Sequence, residues 1–128
     1  MRPYAPARSA TPRRHLSRRS AASSTRPEPN GDERQAGKKL EKTEAELNKV
    51  YKQVLQQRAD DAEFTAVLKE GQRAWLKFVE LHLRMLFFVK EGENPREVYG
   101  SVYPLEFAEA KTKLFATRIA QLRDLVLD

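Results

Sequence analysis

The sequence contains no cysteine. Disulfide scaffolding, thiol catalysis and cysteine-based zinc sites are therefore excluded. Histidine is almost as scarce, with only His15 and His82, and Ser101 is the one serine beyond residue 39. No Ser-His-Asp set can be assembled from that supply, and neither an HExxH pair nor a glycine-rich phosphate loop occurs. Long apolar runs are missing too. The most apolar window, Leu81 to Val89, is broken by His82 and Arg84 and falls well short of the about 20 residues a membrane-spanning helix needs. Arg13-Arg14 and Arg18-Arg19 are followed by no apolar segment, so the start does not read as a secretion signal. These absences leave no catalytic, cofactor-binding or metal-binding residues to name, and the expectation is a protein that is not an enzyme and carries no cofactor.

Charge is plentiful but unevenly placed. Residues 1–39 hold ten Lys or Arg against Glu28, Asp32 and Glu33, a net of +7, whereas residues 40–128 hold fourteen basic and fifteen acidic side chains, a net of −1. The basic character belongs to the first segment and not to the rest of the chain. That segment also carries five of the seven prolines and almost no aliphatic side chains. It cannot bury enough apolar surface to offset ordering its backbone, so residues 1–39 read as a disordered tail. Its arginines permit weak, salt-sensitive contact with anionic polymers such as nucleic acid. They are dispersed and accompanied by no aromatic platform, which ranks nucleic-acid binding last among the functional readings.

From residue 40 the pattern becomes helical. Leu40, Leu47, Val50, Tyr51, Val54 and Leu55 recur at helical spacing and predict a helix over about 42–58, with Thr43 and Glu46 as a capping box. Asp60 and Asp61 read as N-caps of a second helix over about 61–90. Its expected apolar face is Phe64, Val67, Leu68, Ala74, Trp75, Phe78, Leu81, Met85, Leu86 and Val89, with Gly71 admitting a close backbone approach or marking a bend. A connection over 91–103 contains Asn94-Pro95, which can open a single helical turn, and the aromatic anchors Tyr99 and Tyr103. The last helix starts between Ser101 and Pro104, and its seam of Leu105, Ala108, Thr112, Phe115, Ile119, Leu122 and Val126 alternates steps of three and four. The fold class expected is all-α: an antiparallel three-helix bundle or hairpin over residues 40–128, built around Trp75, with residues 1–39 outside it.

Four pieces occur in order: Glu46 to Tyr51 with Leu47 inside it, Gln72-Arg73-Ala74-Trp75-Leu76-Lys77-Phe78, Gly100-Ser101 with Pro104, and Thr117-Arg118 with Leu122. Together they resemble the LprI-like lysozyme-inhibitor domain family of bacterial envelope proteins, over about residues 44–126. The resemblance implies a helical binding protein, a lysozyme-type partner and a periplasmic or secreted setting. It marks Leu47, Tyr51, Gln72, Arg73, Trp75, Leu76, Phe78 and Arg118 as motif and core positions. Family members usually carry cysteines; the places where they are expected hold Leu83 or a neighbour and about Ala110 here. Within the helical part, the irregular connection makes Tyr99, Ser101 and Tyr103 the expected partner contacts, because loops on a rigid scaffold commonly carry recognition. A second reading is a helical interaction module that pairs with itself through the apolar run Leu86 to Val89.

Overall fold

The computed structural model describes residues 31–128. Among them there is no strand, and four helices follow one another: α1 (Gly31–Gln57), α2 (Ala62–Leu86), the single turn α3 (Pro95–Tyr99) and α4 (Tyr103–Arg123). Residues 1–30, where most of the expected tail falls, lie outside the described residues. Residues 31–39, also read as tail from the sequence, are helical.

The first helix starts at Gly31 rather than near 42. Asp32 and Glu33 sit in its first turn, where carboxylates oppose the positive end of the helix dipole. The extension was hidden because it has no apolar stripe; its half-buried positions are Glu33, Ala36, Gly37 and Leu40. Thr43 is consequently mid-helix and not a cap. Its hydroxyl donates back to the Lys39 carbonyl at 2.8 Å, a local bond that Thr makes readily inside helices. The cap expected for the second helix is present: the Asp61 carboxylate accepts from the Phe64 backbone N–H at 3.0 Å. The helix ends at Leu86, not near 90. Asn94 opens α3 as anticipated, its side chain accepting from the Arg96 N–H at 2.8 Å, and Gly100 closes it at φ 85°, a left-handed conformation that glycine adopts without a Cβ clash.

Helices α2 and α4 run antiparallel, with Gln72 and Trp75 facing Arg118 and Phe115. Because the chain reverses after α1 and again after α2, α1 and α4 run parallel. Lys111 pairs with Glu44 near one end, and Gln57 and Arg58 meet Leu127 and Leu125 at the other. The core is the buried set Leu47, Val50, Val54, Leu68, Val79, Leu83, Phe115, Ile119 and Leu122, with Trp75 packed against it half-exposed. Five of the seven seam positions read from the sequence, Ala108, Thr112, Phe115, Ile119 and Leu122, are buried in α4; Leu105 is half-buried, and Val126 lies half-buried beyond the end of the helix. The lone indole is at the edge of this core and not at its centre.

The inward face of α2 differs from expectation. Leu68, Gln72, Val79 and Leu83 are buried, while Val67, Phe78, Leu81 and Met85 are exposed. The helix carries enough apolar residues for two stripes, and periodicity alone cannot choose between them. Gly71 admits no neighbour either: a Cβ placed there would meet nothing within 4 Å.

Candidate functional site

The Gln72-Arg73-Ala74-Trp75 stretch places its side chains on opposite sides of α2. Gln72 and Trp75 turn toward α4, whereas Arg73 and Ala74 are exposed, Arg73 lining the groove toward α1. Gln72 is buried to 9% exposure, and an amide in that position needs a partner. Arg118 supplies it: its Nε donates to the Gln72 Oε1 at 2.9 Å, and its Nη1 donates to the Gln121 Oε1 at 3.0 Å. The same guanidinium lies 5.5 Å from the Trp75 ring centroid, close enough for a cation–π contact. Trp75 in turn meets Phe115 at 5.2 Å with a 58° tilt. Burial lowers the Arg118 pKa from its ordinary value, because leaving water disfavours the charged form.

The structure therefore brings together Gln72, Trp75 and Arg118 from the expected motif set, while Leu47 is buried and Tyr51 half-buried on α1. Arg73 and Leu76 do not join this cluster but line the open groove beside it, and Phe78 lies outside both. Leu76 and Phe78 are about half exposed, at 49% and 51%, so neither belongs to the core as the motif position suggested. Phe78 stacks instead on His82 at 5.2 Å and 25°, which makes His82 a half-buried boundary residue. Leu83 and Ala110, where family cysteines were expected, both pack in the apolar cluster.

Next to this cluster an open groove of about 1240 Å³ runs between α1 and α2. Leu47 and Tyr51 lie on its α1 side, Gln72, Val79 and Leu83 on its α2 side, and Phe107 and Phe115 of α4 below. Its far mouth is formed by residues 87–93, Pro95 and Tyr103. That mouth is held by aromatic contacts that sequence spacing did not reveal. Phe87 meets Tyr99, Tyr103 and Phe107 at 5.8, 5.5 and 5.9 Å, and Tyr99 stacks on Tyr103 at 6.4 Å. The Tyr99 hydroxyl donates to the Phe88 carbonyl at 2.7 Å, and the Glu93 carboxylate accepts from the Lys90 N–H at 2.8 Å. Tyr99 and Tyr103 are thus half-buried braces of the connection, and Ser101 is exposed. The large hydrophobic side chain most presented to solvent there is Phe88, at 62%. The only sequence signal for it was the widening of the apolar surface over Leu86 to Val89.

Among the described residues no group of three or more His, Asp or Glu side chains could hold a metal ion. Nor is any described helix long and apolar enough to cross a membrane. A family model described as lysozyme inhibitor LprI matches residues 19–122. No curated protein and no solved structure matches the chain.

Proposed function

Because the chain belongs to the LprI lysozyme-inhibitor family, we propose that it is a non-enzymatic helical binding protein that occludes the cleft of a lysozyme-type enzyme. The family supplies a lysozyme-inhibitor-like role; the contact surface and the mode of inhibition are the proposal. The contact assigned is the braced connection between α2 and α4, with Phe88 leading and Tyr99, Ser101 and Tyr103 forming its base.

One observation carries this assignment. The connection is irregular, yet the Tyr99–Phe88 hydrogen bond and the ring contacts around Phe87 hold it in a single shape. A loop ordered before binding avoids much of the entropy cost of association. An exposed aromatic on such a support has the character of an interface anchor. The segment 88–103 carries Lys90 and Arg96 against Glu91, Glu93 and Glu97, a slight acidic excess that suits a cationic partner.

The test is the rate at which a lysozyme clears cell walls in the presence of the full-length protein. Inhibition that rises with dose, and that Phe88→Glu abolishes without changing helicity, is the expected result. An unchanged rate at micromolar excess overturns the proposal. Inhibition that Phe88→Glu leaves intact moves the contact elsewhere on the surface.

A further inference from the structure

We propose that the exposed stripe of α2 is a docking surface for a second copy of this chain, pairing two α2 helices antiparallel; this goes beyond the lysozyme reading and does not depend on it. The stripe consists of Val67, Gly71, Ala74, Phe78, Leu81 and Met85. Their spacing alternates four and three, the seam of a two-helix coiled coil. All six are exposed, and Val67, Phe78, Leu81 and Met85 are four of the seven large hydrophobic side chains that stand out among the described residues. The line spans about 27 Å at the helical rise. A continuous apolar line of that kind on a folded surface marks an interaction site.

Size selects the occupant. The small residues Gly71 and Ala74 lie in the first half of the seam, and the large residues Phe78, Leu81 and Met85 in the second. Turning a second α2 end for end places Met85 of that copy opposite Val67, its Leu81 opposite Gly71 and its Phe78 opposite Ala74. The two-fold axis repeats these three layers, so every small residue faces a large one. A Cβ on Gly71 would meet nothing within 4 Å, so the space for the opposing leucine is open.

Charge agrees with the same register. Glu70, Lys77 and Arg84 follow one flank of the seam at intervals of seven. In the antiparallel pair Glu70 of each copy comes beside Arg84 of the other, giving two opposite-charge contacts. Only Lys77 meets its own equivalent, at the axis, and each Lys77 lies 3.6 Å from Glu80 of its own helix. A parallel pair would set large residues against large and small against small, and would bring no such charge match.

The experiment is sedimentation equilibrium of the full chain up to about 100 µM, a range that captures micromolar association. The expected mass rises with concentration toward twice 14.8 kDa. Phe78→Glu, with its helicity checked by circular dichroism, is expected to stay at the monomer mass. Glu70→Arg alone should weaken pairing several-fold, and adding Arg84→Glu should restore it. The chain has no cysteine, so single substitutions report orientation cleanly. Lys77→Cys should form a covalent dimer on oxidation and Met85→Cys should not. A wild-type chain that stays monomeric overturns the proposal, as does a Phe78→Glu variant that still pairs. A covalent dimer from Met85→Cys but not from Lys77→Cys overturns the antiparallel register, and so does a double charge swap that fails to rescue. Absent self-association together with loss of lysozyme inhibition in Phe78→Glu would give the stripe to the lysozyme instead.

Discussion

Arg118 does three things with one group. It satisfies the buried Gln72 amide, it holds Gln121 beside it on α4, and it covers the Trp75 ring. Arg118→Ala would leave the Gln72 carbonyl oxygen buried without its donor, a loss of about 1–3 kcal/mol in urea unfolding. Arg118→Lys keeps the charge but not the planar fork, so it is expected to recover only part of that loss. Arg58 plays a similar part at the opposite end. Its guanidinium lies 4.3 Å from the Phe64 ring centroid, and its Nη2 donates to the Leu125 carbonyl at 3.0 Å. It thereby ties the end of α1, the start of α2 and the last residues together. Neither arginine's full role could be deduced from its neighbours in sequence, since Arg118 also binds Gln72 and Arg58 also binds Leu125, both far along the chain.

Among the helices, α2 is the one whose orientation is informative. Leu83 at 5% exposure and Leu76 at 49% are seven residues apart on the same helix and both line the open groove, yet only Leu83 joins the buried apolar cluster. Leu83→Ala is expected to cost about 2–5 kcal/mol through lost burial and the cavity left behind. Leu76→Ala, measured in the same urea titration, should cost a fraction of that, within roughly 1 kcal/mol. Equal losses would mean that the inward face has been assigned wrongly. Helix α1 offers the converse test. A Cβ on Gly37 would meet nothing within 4 Å, so Gly37→Ala should raise stability by about 0.5–1 kcal/mol, seen as a higher urea midpoint with an unchanged slope.

For the molecule as a whole, the parallel pair α1 and α4 is the closely packed unit, while α2 meets it through long side chains across an open groove. Hydrogen exchange should therefore be slowest around Leu47 to Val54 and Thr112 to Leu122, and faster along α2, whose opening breaks fewer backbone approaches. Residues 31–128 carry seventeen basic and seventeen acidic side chains, so the helical body is neutral and the excess positive charge belongs to residues 1–30. Binding by the helical body should accordingly respond weakly to salt, and binding to nucleic acid, if measured, should vanish with removal of residues 1–30.

The helical class was legible in the sequence, because periods of three and four over the α4 seam, the Asp61 cap and the Asn94-Pro95 turn are local signals with local causes. The start of α1 was not, because a polar first turn leaves no apolar trace. Which stripe of α2 turns inward was decided only when Gln72 met Arg118, forty-six residues away. Periodicity records that a face is apolar; whether that face is covered depends on partners brought from elsewhere in the chain, and that information exists only in the folded molecule.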